Sequence, residues 1–171
     1  MALTDKKVLL VVAQTDFDGT EFETVRKVLE GRGLTVKVAS VAHGTARATT
    51  GLTVRPDVTL EDVKTWEYDA VVFVGGPGAR QLFDHDKATK LAKDCEYKVL
   101  GAIGLAPGIL ANGGVVKGKR VTADPSLAAL LKQKEGTYTG QELEVHDKLV
   151  TARGARYAEH LANALLQALQ K

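Results

Sequence analysis

Asp16, Asp18 and Glu21 fall together in the run DFDGTE, directly after an apolar segment. Carboxylates at the end of a strand can act as general acids or bases once burial or a neighbouring charge raises their pKa. They can also simply start a helix. Asp18 has the type and position of an N-cap. Glu21, one turn further on, suits the positive end of the helix dipole.

A second chemical candidate lies in KVLGAIGLAPGILANGG, residues 98–114. Its apolar run ends at Gly104, and a helix-like run follows almost at once. A nucleophile elbow presents a reactive side chain on such a strand-to-helix turn, with small residues two before and two after so that backbones pass closely. Ala102 and Ala106 are those flanks. Gly104 itself carries no side chain, yet it is the residue type best able to hold positive φ. The competing reading is an ordinary βα turn that contains a glycine.

The third candidate is GGPG, formed by Gly75, Gly76, Pro77 and Gly78. It follows an apolar run, and its glycines let backbone N–H groups approach a ligand closely. Such groups bind a carboxylate or phosphate, or stabilise an oxyanion; a tight turn is the alternative. The spacing is neither G-x-G-x-x-G nor a Walker A motif. His43, His85, His146 and His160 show no metal-ligand spacing, so no metal site and no cofactor is expected. Cys95, the one cysteine, falls on the apolar stripe of a helix with Leu91 and reads as core packing. The basic cluster KGKR, residues 117–120, reads as a solvated turn or an anion contact.

These candidates need elements to hold them. Residues 6–13, KKVLLVVA, form a continuous apolar run, the signature of a strand buried on both faces. Phe22, Val25, Val28 and Leu29 follow at helical spacing, with Gly31 and Gly33 as the stop. Residues 34–40 alternate as a second strand, which completes a βαβ unit. Residues 43–59 read as a small hairpin or excursion, ended by Pro56. Residues 68–76 predict a strand. A helix with Asp84 or Asp86 as N-cap follows, and KVLGAIG is the next strand, with a short helix over LAPGILAN. KRVTA is a short strand, PSLAALLKQKEG a helix, ELEVHDKLVTA two strands across an HD turn, and the last residues an amphipathic helix. Alternating strands and helices predict a single-domain α/β fold over 1–171, doubly wound around a mostly parallel central sheet. In such sheets the site lies beyond the carboxyl ends of the strands. Three loops meet that condition: AQTDFDGTE, GGPGAR and IGLAPG.

The chain has 171 residues, 44% hydrophobic and 26% charged, and a formal net charge of +2. That near-balance argues against a dedicated nucleic-acid or membrane surface. The N-terminal apolar run is too short for a signal peptide or a membrane span. With one cysteine no intrachain disulfide can form, which points to a reducing, cytoplasmic setting.

The segments FDGTEFETVRKVLEGRGLTVKVAS, DAVVFVGGPGA, KVLGAIGLAPGILANGGVVKGKRVT and LVTARGARYAEHLANAL, in this order, resemble the DJ-1/PfpI (ThiJ) family over nearly the whole chain. The resemblance implies a flavodoxin-like α/β sandwich and a homodimer or higher homo-oligomer. It also implies a catalytic Cys at the elbow, a Glu from the first helix that hydrogen-bonds it, and backbone oxyanion donors. Matched by position, the Cys is replaced by Gly104 and the following residue, often His, by Leu105. The Glu is Glu21, and the donors are Gly75 or Gly76 together with Leu105. Asp124 stands where a His or aromatic often precedes Pro.

Peptidase, glyoxalase and deglycase chemistry needs a thiolate, so three readings follow. The chain is a catalytically silent member that binds a small carbonyl-type molecule or a partner. Alternatively it is a lyase, hydratase or isomerase acting on a small carbonyl compound, with Glu21 and Asp124 as acid/base groups. Or Gly104 was introduced into a Cys enzyme.

Overall fold

The computed structural model describes residues 3–171. In chain order the strands are β1 Lys7–Val11, β2 Thr15–Phe17, β3 Thr35–Ser40, β4 Ala46–Ala48, β5 Thr53–Val54 and β6 Val58–Thr59. They continue with β7 Ala70–Phe73, β8 Val99–Ile103, β9 Arg120–Val121, β10 Thr137–Tyr138, β11 Leu143–His146 and β12 Leu149–Ala152. The α-helices are α1 Gly19–Gly31, α2 Asp86–Asp94, α3 Pro107–Asn112, α4 Ala128–Gln133 and α5 Ala158–Gln170. Short 3-10 turns at Pro77–Leu82 and Pro125–Leu127 matter for the site.

Seven strands form the central sheet in the order β11-β12-β8-β7-β1-β3-β6. All neighbours run parallel except β11, which pairs antiparallel with β12. The fold is therefore an α/β sandwich with a mostly parallel sheet. Every residue of β7, β8 and β12 is buried, as is all of β1 after Lys7, which explains their unbroken apolar runs. From β1 the chain crosses through α1 to β3; from β7 it crosses through α2 to β8 on the other side. Right-handed crossovers taken in opposite directions put α1 and α2 on opposite faces. The order reverses between β1 and β7, and at such a switch point the loops splay apart and leave a crevice.

Several local expectations need correction. The N-cap of α2 is neither Asp84 nor Asp86 but His85, whose Nδ1 accepts from the Ala88 N–H at 3.4 Å. The excursion over residues 43–59 contains the β4–β5 hairpin, but β2 pairs alongside β4 to make a separate three-stranded sheet, and β6 joins the edge of the main sheet beside β3. The turn between β11 and β12 pivots on Asp147 (φ 54°), because His146 still belongs to the strand. Cys95 lies at the C-cap of α2, fully buried. No described helix is long and apolar enough to cross a membrane.

Candidate functional site

The ends of β1, β7 and β8 bring the three candidate loops together. Asp18 caps α1: its Oδ1 accepts from the Glu21 N–H at 2.9 Å. The Asp18 N–H donates to the Gly75 carbonyl at 2.8 Å, and the Gly75 N–H donates back to Glu21 Oε1 at 2.7 Å. The loop after β1 and the loop after β7 are thus tied across the switch point by a backbone bond and a carboxyl bond. Glu21 is 2% exposed, although its type is almost never fully buried without a partner. Burial pushes its carboxyl pKa up to about 8; the charge of Asp18 adds to this, the Gly75 hydrogen bond opposes it, and the charge of Asp124 adds a little more.

Gly104 occupies the corner between β8 and α3 with φ +66°, in the left-handed region. Its N–H donates to the Ala152 carbonyl at 3.1 Å, and its carbonyl accepts from the Asp124 N–H at 2.8 Å. A Cβ at this position would stand 2.5 Å from Glu21 Oε2, far closer than van der Waals contact. The carboxyl group of Glu21 therefore lies directly against the bare corner.

Backbone donors flank the same spot. The point where a Cβ of residue 75 would fall lies 2.9 Å from Glu21 Oε1 and 2.9 Å from the Leu105 nitrogen. The Gly75 N–H is committed to Glu21, which removes it from the set of donors open to a ligand. Among the described residues, the N–H groups of Gly76 and Leu105 have no protein acceptor. Gly76 (φ +97°) backs onto Phe17 and Asp18, and Gly78 onto the Thr15 carbonyl. These two glycines let the turn starting at Pro77 pack against β2. Pro77 is exposed and begins that turn.

Asp124 caps the 3-10 turn Pro125–Leu127. Its Oδ2 accepts from the Ser126 N–H at 3.0 Å and from the Ser126 hydroxyl at 2.5 Å. Its backbone reaches the corner and its charge acts on Glu21, but one carboxylate oxygen is engaged by Ser126. Asp16 stands at φ 61° in β2, between β1 and α1, and is exposed.

Arg80 and Ser126 escaped the sequence reading. The Arg80 Nη2 donates to Ser126 Oγ at 3.3 Å, joining the turn after β7 to the turn after β9. Arg80 lies in the quoted run GGPGAR, yet nothing in the residue order says which distant hydroxyl it meets.

Other titratable groups lie elsewhere. Burial pushes the Cys95 thiol up to about 11. Among the described residues no group of three or more His, Cys, Asp and Glu is placed to hold a metal ion. In the KGKR turn, Lys117 pairs with Glu135 at 3.7 Å and Arg120 with Glu144 at 3.5 Å. A cleft of about 510 Å³ runs along the outer side of α1, lined by Phe22, Arg26, Glu30 and Leu52 among others, and includes neither Glu21 nor Gly104. The chemistry-bearing groups converge at the strand ends instead.

Known proteins share this architecture. A family model described as the DJ-1/PfpI family matches residues 6–168. An uncharacterised protein of Methanocaldococcus jannaschii is 33% identical over 174 aligned positions, which cover 99% of this chain and 85% of that protein. A deglycase of Pyrococcus abyssi is 31% identical over 70% of this chain and 73% of its own length. The crystal structure of a ThiJ/PfpI domain protein from Brachyspira murdochii superposes with a TM-score of 0.93 at 29% identity and covers 96% of each chain. With the match running from the first strand of the central sheet to the last helix, the chain belongs to the DJ-1/PfpI family.

Proposed function

We propose that this chain is a DJ-1/PfpI protein without thiol chemistry that holds a small carbonyl-type ligand at the Gly104 corner. The observation that carries the reading is the Glu21 carboxyl group seated against a corner residue that has no side chain. Gly104 offers no electron pair to attack a carbonyl, and the thiol of Cys95 is buried at the end of α2 with its pKa pushed up to about 11. The Gly76 and Leu105 N–H groups supply donors for a ligand's carbonyl oxygen. A homodimer or higher homo-oligomer in a cytoplasmic setting completes the proposal, and sedimentation velocity tests the assembly.

The raised pKa of Glu21 favours a second reading, an enzyme of carboxyl chemistry. At neutral pH the group holds a proton next to the donors and could deliver it to an enolate or a leaving oxygen. In this reading Glu21 is the acid/base group, and Asp124 contributes charge and orients the corner through its backbone bond to Gly104.

One experiment separates the two. The purified chain is incubated with methylglyoxal while substrate loss and the amide resonances of Gly76 and Leu105 are followed. Binding without turnover shifts those amides and leaves methylglyoxal intact. Turnover abolished by Glu21→Gln establishes the second reading, and turnover unaffected by Glu21→Gln removes both. A Gly104→Cys variant that gains turnover would show a scaffold still competent for thiol chemistry, as expected of a Cys enzyme changed at that position.

A further inference from the structure

The amino ends of the parallel strands lie at the end of the sheet away from the Gly104 corner. Lys6, Asp69, Lys98 and Lys148 are the residues directly before β1, β7, β8 and β12. Those four strands are neighbours in the order β12-β8-β7-β1 and run parallel. Adjacent strands stand about 4.8 Å apart, so the four residues are rooted in a row roughly 14 Å long. One cavity of about 190 Å³ is lined by all four of them, with Tyr97 in its wall as well.

The lysines are held in place. Lys98 Nζ donates to the carbonyls of Thr65 at 3.0 Å and Tyr68 at 2.9 Å, and Lys148 Nζ donates to the Tyr97 carbonyl at 3.4 Å. Those carbonyls lie outside every α-helix, so the two lysines are not capping helix ends. The Lys6 side chain is only 16% exposed. An ammonium has three donors, so Lys98 keeps one and Lys148 two without a protein acceptor among the described residues. Asp69 supplies the one carboxylate side chain of the lining, and it is already engaged: Oδ2 accepts from the Lys7 N–H at 2.8 Å, and Oδ1 lies 3.9 Å from Lys6 Nζ. Lys171 also borders the cavity and adds no net charge where its own main-chain carboxylate is free. Lys6, Lys98 and Lys148 against Asp69 leave the cavity net positive.

We propose that this cavity binds the phosphate chain of a small polyphosphate, free or carried by a nucleotide. Lysine suits that ligand because its ammonium is a compact point charge that meets phosphate oxygens without the planar fork a carboxylate prefers. Three such charges rooted along a row match an anion with several charged groups in line better than a single phosphate. The volume is below the range of about 300–1,000 Å³ that encloses a drug-sized ligand, so it takes a short phosphate chain and not a whole nucleotide. A nucleotide's base would stand outside, where the Tyr97 ring, 81% exposed, offers a face for stacking. The site is separate from the Gly104 corner and does not depend on the carbonyl-binding role proposed there.

The test titrates inorganic tripolyphosphate, ATP and AMP into the full chain by calorimetry, with the fluorescence of Trp66 followed in parallel. Trp66 is the one tryptophan, is 77% exposed, and directly follows Thr65, whose carbonyl Lys98 holds, so it reports on this end of the molecule. Tripolyphosphate is expected to bind, and AMP at least about tenfold more weakly than ATP. Lys148 is exposed and makes a single long hydrogen bond, so Lys148→Met should fold and should weaken tripolyphosphate roughly fivefold. Lys117→Met removes the same charge from a lysine that does not line the cavity and should change nothing. ATP bound more tightly than tripolyphosphate makes a nucleotide the ligand; equal or weaker binding of ATP makes it the free chain. The proposal is overturned by tripolyphosphate that produces neither heat nor a fluorescence change, by AMP that binds as tightly as ATP, or by a loss in Lys117→Met equal to that in Lys148→Met.

Discussion

Glu21 keeps a proton at a pH where an exposed glutamate has lost it. Folded, it titrates at about 8; unfolded, at the ordinary value of 4.5. Between those values the folded chain binds more protons than the unfolded one, so stability falls as pH rises through that window. The contribution of the protonated group is complete below 4.5 and gone above about 8. Its size is on the order of a few kcal/mol. Glu21→Gln keeps an oxygen for the Gly75 N–H and has no proton to lose, so its stability should change much less between pH 5 and pH 8. Urea denaturation at the two pH values checks this, and parallel slopes in the two proteins would contradict the buried titration. Gly104 makes a second residue-level case. Gly104→Cys places an L side chain at φ +66° and drives its Cβ toward Glu21 Oε2. The left-handed backbone alone costs about 1–2 kcal/mol. The carboxyl group must also swing away from the corner, so a loss of roughly 1–3 kcal/mol in chemical denaturation is expected.

Among the elements, the small β2–β4–β5 sheet and the turn starting at Pro77 build one wall of the site together. They meet where Gly78 passes the Thr15 carbonyl with no room for a Cβ. Gly78→Ala forces backbone rather than side chain to move, so it should cost more than an ordinary surface change, roughly 2–4 kcal/mol. Hydrogen exchange should show the loss concentrated around Phe17 and Ala48, whose strands pair there. The start of α1 is less demanding. Asp18→Ala removes one cap bond to Glu21 and should cost about 1 kcal/mol by thermal or urea unfolding. It also removes a charge that raises the Glu21 pKa, so the pH dependence of stability should flatten slightly.

At the scale of the whole molecule, the sheet and its core keep the one thiol out of reach. Cys95 is 0% exposed and its pKa is pushed up to about 11, so in the native protein it should resist a thiol reagent that reacts at once with the unfolded chain. The rate of modification should follow global unfolding across a denaturant series. Fast native labelling would mean that the α2–β8 connection opens by itself. The same sheet holds the loops after β1, β7 and β8 at one end, where its strand order reverses and a crevice is expected.

Local order was enough for much of this protein. The apolar runs over residues 6–13 and 68–76 mark buried parallel strands because a strand covered on both faces has no polar side to show. Asp18 was readable as a cap because a cap bonds to a residue three positions away. Gly104 was readable as a left-handed corner from its small neighbours Ala102 and Ala106. Distant contacts were not readable. β2 and β10 are two or three residues long and exist only because β4 and β9 lie beside them. His85 rather than an aspartate caps α2 because the turn from Pro77 sets where that helix begins. The sequence by itself determined the order of the main strands and helices, the bare corner and a glutamate one turn into α1. Only the tertiary structure decided that Glu21 is buried against Gly104, that it binds the Gly75 N–H, and that Arg80 meets Ser126. Those facts join residues 54, 83 and 46 positions apart, and such pairs meet through the packing of the sheet and its helices rather than through local propensity.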